Sequence, residues 1–408
     1  MRKKMHYKIL TTVFLCILSA STWAKEGFDK EAPEYEFTPK VTPAAEIAEK
    51  FGTSAVLNNG KKWRVVFYEG GPHANYYHYL EATIRGLMNF GWIEKSDLTK
   101  IQRKRKDTKR LWNWLVNKSE SEYLEFLEDG YYSANWDDDQ RQTNRSKLLD
   151  RLTSQDDIDL VIAMGTWAGL DLANDEHSVP TIVMSTSDPV ESGIIKSKDD
   201  SGYDHVHARV DPYRYERQLR IFHDIIKFKK LGIAFEDSIY GRSYSAIDTV
   251  EKVAADIGFD VVKCYPKSDI SDTEVASKSV IRCFDKLSKK VDAIYVTIQG
   301  GVNTESIPKL VEIANKNSIP TFSQLGAKEV QQGFLFSISR PGFKPAGLFL
   351  SATIAQILNG AKPRQLKQVF EETPSIAINL KTAEIVGLYL YADILAAADT
   401  IYREIKNP

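Results

Sequence analysis

Charge of one sign is the first thing this sequence lacks. Its 54 lysines and arginines are balanced by 55 aspartates and glutamates, for a formal net charge of -1. No global basic field therefore draws the chain to nucleic acid. The familiar enzyme constellations are missing as well: there is no Gly-x-Ser-x-Gly elbow, no P-loop and no His-Glu-x-x-His pair. Cysteine is scarce, with three in 408 residues. Long apolar runs are missing too, since the longest, within residues 9–21, falls short of the roughly 20 residues of a membrane span. Hydrophobic residues at 43% and charged residues at 27% give the balance of a soluble globular protein, long enough for two ordinary domains.

That N-terminal run has basic residues before it and small residues after it. MRKKMHYK, then ILTTVFLCILSAS, then STWA is the build of a secretory signal peptide, with cleavage expected after Ala24. Bulky residues ahead of Cys16 argue against a lipid anchor. Loss of residues 1–24 removes four basic residues and no acid, leaving a formal charge of -5. The protein is thus expected to be exported to the periplasm, with no membrane insertion after signal removal. Cys264 and Cys283 then lie in an oxidising compartment. They either pair as a disulfide or stay as two separately buried thiols.

Residues 25–60 read as an extended leader. From Lys62 onward apolar strand-like runs alternate with helical periodicity. RVVFYEGG is a strand running into a Gly-Gly loop, and Leu80, Ile84, Leu87 and Met88 then mark one helix face. Residues 95–150 interrupt the rhythm with a basic run (IQRKRKDTKR), an aromatic one (LWNWLV) and an acidic one (SANWDDDQRQ). They read as a solvated helical insertion. The alternation resumes at DLVIAMG (160–165 within it) and continues to the tail, with a break near 190–208. This pattern implies parallel sheets flanked by helices, in two units.

Four strand ends share one signature, an apolar run followed by small and polar residues and then a helix. They are FYEGGPHANY (67–76), AMGTWAG (163–169), FEDSIYGRSY (235–244) and TIQGGVN (297–303), with STSDP (185–189) as a fifth turn. Carboxyl ends of strands are where open α/β sheets keep ligands, and helix N-termini favour anionic or hydroxyl groups. The candidate lining residues are Tyr68, Gly70, Gly165, Thr166, Trp167, Ser187, Asp188, Tyr240, Gly241, Gln299 and Gly300. The Thr166 hydroxyl either caps its own helix or points outward, while Tyr68, Trp167 and Tyr240 offer stacking surfaces. His205 and His207 share one side of a strand but have no third ligand nearby in sequence, and Asp137, Asp138 and Asp139 lack the spacing of a calcium loop. No cofactor or metal is implied.

The ordered set IAMGTWAG, IVMSTSDPVESGII, KLGIAFEDS, VDAIYVTIQGGVN with IPTFSQ, and SIAINLKTAEIVGLYLYADILAAAD resembles the substrate-binding proteins of ABC importers. The resemblance spans roughly residues 62–402. It is to the periplasmic-binding-protein type I fold, in the branch that includes tryptophan- and tyrosine-binding members. It implies two Rossmann-like lobes joined by a hinge, with lobe 1 from 61–200 plus 338–408 and lobe 2 from 201–337. It also implies a non-enzymatic protein that captures a small, aromatic or carboxylate-bearing ligand between the lobes and delivers it to an ABC permease. The alternative partner is a membrane receptor or kinase that reads the bound state, with the insertion as docking surface. The resemblance places a ligand carboxylate at Gly165-Thr166, Ser187-Asp188 at the cleft border, and Tyr240 and Gly241 on the second lobe. Two departures stand out. The family usually has Pro at Trp167, and it tends to have Asp at Gln299, where it meets an amino group. A neutral amide does not balance an ammonium, so this second departure argues against a free amino acid.

Overall fold

The computed structural model describes residues 50–98, 107–339, 342–371 and 374–406. The expected signal peptide, most of the leader and the basic residues 101–106 lie outside them. Two sheets organise the chain. The first holds β1 (Trp63–Glu69), β2 (Leu124–Ser133), β3 (Leu160–Met164), β4 (Thr181–Met184) and β5 (Val206–Ala208) in the order β2-β1-β3-β4-β5, every pair parallel. β3 and β4 are buried throughout and β1 from Val65 on, as expected for a parallel sheet covered on both faces. One covering layer is α1 (Ala74–Asn89), started by the His73 ring accepting from the Asn75 N–H. Leu80, Ile84 and Leu87 face a core with Phe67, Ile162 and Ile182.

The second sheet holds β6 (Lys230–Ala234), β7 (Asp260–Cys264), β8 (Ala293–Val296), β9 (Thr321–Ser323), β10 (Phe336–Ser339), β11 (Ser375–Asn379) and β12 (Thr400–Tyr402). Their order is β12-β11-β10-β9-β8-β6-β7, parallel except where β10 meets β11. Among its helices are α5 (Arg214–Ile226), α6 (Ile239–Ser245), α7 (Ile247–Ile257) and α8 (Thr273–Leu287). Cys264 at the end of β7 and Cys283 in α8 form a disulfide, which resolves the choice the sequence left open.

Two expectations need correction. Of residues 95–150, the described 107–150 are more than a solvated helical excursion. They supply α2 (Thr108–Lys118), β2 and α3 (Asp138–Ser154), and β2 pairs along β1 with a register shift between Val65 and Phe67. The charged LEFLEDGYYS takes strand form because β1 offers it a hydrogen-bonding edge and α2 covers it, with Trp112 packed edge-on to Phe126. The tail is also divided. α11 (Lys344–Leu358), numbered after α9 (Ile307–Lys316) and α10 (Ala327–Gln331), crosses α1 so closely that a Cβ on Gly347 would lie 2.4 Å from that of Ala82. It therefore belongs with the first sheet, whereas β11 and β12 join the second. The end of the leader is packed on the first unit, since Thr53 and Val56 carbonyls accept from the Trp92 and Trp63 indoles at 2.9 Å. Among the described residues no helix is long and apolar enough to cross a membrane.

Candidate functional site

Strand order locates the site. From β1 the chain goes to β2 on one side and returns to β3 on the other. From β6 it goes to β7 on one side and returns to β8 on the other. Crevices open at such switch points, beyond the carboxyl ends of the strands. The four strand ends at these points run into Gly70, Gly165, Glu236 and Gln299, so the four sequence signatures fall on the two switch points. The two sets of loops meet across the lobes. Tyr240 is 5.3 Å from Trp167 between ring centroids, and the Ser243 hydroxyl donates to the Asp188 carbonyl at 3.3 Å. The Tyr215 hydroxyl donates to the Ser187 carbonyl at 3.4 Å.

Gly165 opens α4 (Gly165–Leu172) with φ +86°, and a Cβ there would lie 1.9 Å from the Tyr76 hydroxyl. Both the backbone sign and the space exclude a side chain. Thr166 makes no capping bond to its helix, which starts without one, so the cap alternative is removed. Trp167 is nearly buried and packs edge-on against Trp136 at 5.5 Å. The two tryptophans close over Gly70 and Gly71, where added Cβ atoms would lie 2.9 and 2.7 Å from them. Asp188 shapes its own turn by accepting from the Val190 and Glu191 N–H groups at 2.9 and 3.0 Å. Gly241 lies against the Glu236 carbonyl with no space for a side chain.

Tyr68 stands elsewhere than expected. Its ring is 1% exposed and packs with Val161 and Ala168, and its hydroxyl donates to Asp171 at 2.5 Å. It supports the site from below and is not a stacking surface. Gln299 uses its Nε2 on the Ala234 carbonyl and the Thr297 hydroxyl, both at 2.7 Å, while its Oε1 is buried with no partner. The Gly300 N–H and the Tyr244 hydroxyl both face the Asp269 carboxylate.

Several site residues escaped the sequence reading. Arg141, from the misread segment, pairs with Asp171 at 2.7 Å and donates to the Tyr240 hydroxyl. Its guanidinium carbon lies 4.6 Å from the Trp167 ring centroid and 5.2 Å from that of Tyr240, within cation–π range. No sequence signal marks this arginine, because its partners lie 30 and 99 residues away. Glu69, in the FYEGG motif, accepts from Tyr131 at 2.7 Å, Ser133 at 3.0 Å and Thr108 at 2.9 Å. Burial raises its pKa and these donors oppose the rise. Burial also pushes Asp269 up to about 7, with the Glu236 carboxylate adding to the rise.

The histidines do not form a metal centre. His205 lies 4.4 Å from the His177 ring, whereas His207 bonds the Lys367 carbonyl at 3.0 Å. Among the described residues no group of three His, Cys, Asp or Glu side chains is placed to hold a metal ion. Asp137 caps α3, and Asp138 and Asp139 lie in its first turn, where acids suit the helix dipole.

Comparison with known proteins adds to this geometry. Residues 125–402 match the family described as ABC transporter substrate binding protein. A tyrosine-binding protein of Clostridioides difficile (strain R20291) is 26% identical over 212 residues, which are 50% of this chain and 58% of that protein. The match thus spans less than two thirds of that relative's length. Among solved structures, a domain from Streptococcus pneumoniae in complex with L-Trp superposes with a TM-score of 0.61 at 18% identity. A ligand-free, open substrate binding protein with adhesive properties from Clostridium difficile gives 0.56 at 19%. Each likeness covers 84% of this chain and all of the other, and together they establish the two-lobed fold.

Proposed function

The chain belongs to the ABC transporter substrate-binding protein family, and from that premise we propose that it is exported and captures a small ligand between its lobes for an ABC importer. The ligand carries an aromatic ring or a carboxylate. The observation that carries this reading is the meeting of both switch points across the cleft, with Trp167 of one lobe 5.3 Å from Tyr240 of the other. Aromatic faces with a few fixed polar groups are the usual lining of small-molecule clefts. The Gly165-Thr166 turn adds the N–H groups of a helix start and a hydroxyl not used as a cap, which suit a carboxylate. The names of the tyrosine-binding relative and the L-Trp complex support the same class. In the sensing alternative residues 95–150 serve as the docking surface, and of these 124–133 form the edge strand of the first sheet.

The test is a thermal-shift screen of residues 25–408 against amino acids, aromatic acids, nucleosides, sugars and oligopeptides. A ligand at about a thousandfold excess over Kd stabilises by about 4 kcal/mol. Stabilisation by an aromatic or carboxylate compound is the expected result. Silence across the panel by folded, ligand-free protein would overturn the reading.

A further inference from the structure

The second sheet ends on an open edge. β12 is its last strand, and among the described residues no strand lies beyond it. Asn379 of β11 donates its N–H to the Leu335 carbonyl at 2.9 Å, which turns that residue toward β10. Its neighbour Ile378 therefore faces β12, where it stands in register with Ile401. In a parallel pair the residue that faces its neighbour bonds the two residues flanking its opposite number. β11 thus engages Thr400 and Tyr402, and the N–H and C=O of Ile401 point away from the sheet.

An outward row of this kind is a template for another strand. Exposure alternates along it, with Asp399, Ile401 and Arg403 exposed and Thr400 and Tyr402 half-buried. Asp399 is held in place, since its carboxylate accepts from the Ile376 N–H at 2.8 Å. Turned antiparallel about Ile401, this edge is its own complement. Ile401 meets Ile401 of a second copy and exchanges both backbone bonds with it. Asp399 then stands opposite Arg403 at either end. Opposite charges directly across an antiparallel pair are favourable. A shift of two residues in register loses both charge pairs.

Apolar surface adjoins the edge. α12 (Leu380–Val386) packs against β12 and carries Ile385, which is 40% exposed. Leu388 and Leu390 pack into the core of this lobe, so the residues alternating with them turn outward. These are Tyr389 and Tyr391, 80% and 67% exposed. Tyrosine is a residue enriched where proteins meet. α13 (Ala392–Ala396), which follows, has no buried residue. The edge is also separate from the candidate cleft, because β11, β10 and β9 stand between β12 and the switch-point strand β8.

We propose that β12 is a self-association surface, pairing antiparallel with β12 of a second copy of this chain. The contact is isologous, as two-fold symmetry requires, and it joins the two seven-stranded sheets into one. A foreign strand would have to carry acid, apolar and basic residues in this same order, whereas a second copy brings them by identity. Nothing in this pairing depends on which ligand the cleft takes.

The experiment is sedimentation velocity on residues 25–408 from about 1 to about 300 µM, since a dimer forms by mass action. The expected result is a rise from the mass of one chain toward that of two. Arg403→Asp, on an exposed side chain, sets like charges across both ends of the edge. It should weaken the dimer at least about tenfold, and Asp399→Arg should do the same. An equimolar mixture of the two variants should recover the dimer, because two arginines of one copy then face two aspartates of the other. If loss of the bond to Ile376 unfolds Asp399→Arg, the contrast of Arg403→Asp with Arg403→Lys, which keeps the charge and the dimer, decides the matter. Wild type with the mass of one chain over the whole range would overturn the proposal. A dimer that Arg403→Asp leaves intact would overturn it too, as would a mixture of folded variants that stays monomeric.

Discussion

Arg141 of the first lobe donates to the Tyr240 hydroxyl of the second, with its guanidinium carbon 5.2 Å from the Tyr240 ring centroid. The same guanidinium is held from behind by Asp171 and lies against Trp167. One cation therefore ties the two rims together. Tyr240→Phe keeps the ring and removes the bond. It should weaken the closed arrangement by about 1.5–3 kcal/mol, the value of a hydrogen bond to a charged group. Ligand affinity falls by the same factor as the closed population. Calorimetry and small-angle scattering on the two proteins check this, and unchanged affinity with an unchanged radius of gyration would sink it.

Arg141→Met has a different outcome, because it strands Asp171. That carboxylate is nearly enclosed and, besides Arg141, accepts from the Tyr68 hydroxyl. Leaving one member of a buried pair alone costs about 3–5 kcal/mol. Urea unfolding should show this loss, and the double variant Arg141→Met with Asp171→Leu should recover a large part of it. A single variant as stable as wild type would refute the account.

Thr166→Ala separates binding from stability. The hydroxyl caps nothing in its own helix, so stability should change little. Affinity for a carboxylate ligand should drop by about 1–3 kcal/mol if the hydroxyl bonds the charged group. Loss of stability with affinity preserved would return Thr166 to a structural role.

Glu191 gives the lobe contact a pH dependence. Its Oε1 accepts from the Asp248 N–H of the second lobe, and burial, then Asp188, push its carboxyl up to about 8. The Asp248 N–H opposes the rise, the Asp248 carboxylate adds to it, and Arg242 opposes it. A raised acid contributes stability that is fully present below its ordinary value near 4.5. That contribution is lost as pH rises through about 8. The melting temperature of wild type should therefore fall relative to Glu191→Gln between these limits. Comparing the two proteins cancels the parallel contribution of Asp269. Curves that run parallel from pH 5 to 9 would contradict the assignment.

The Cys264–Cys283 disulfide joins residues 19 apart. Loops of that length restrict the unfolded chain by about 3 kcal/mol. The double serine variant should lose roughly that much in denaturant unfolding. Reductant should shift wild type toward the variant and leave the variant unmoved.

Much of this protein was determined by local sequence. The strands at 160–164, 181–184 and 293–296 are largely apolar runs that end fully buried, and the helices between the strands carry their own periodicity. The loops that form the site were legible because glycine and small polar residues after such runs mark strand ends. Tertiary structure decided the rest through pairings that local pattern does not encode. Residues 124–133 become a strand because β1 has an open edge, and that docking carries α3 and Arg141 to the rim. In the tail, β11 reaches the second sheet by pairing with β10, earlier in the chain, and β12 by pairing with β11. Gln299 lies in a loop legible in the sequence, but that its amide is taken up by the Ala234 carbonyl, 65 residues earlier, was decided only by the fold. Burial and electrostatic balance are properties of places in space, and only folding brings those places together.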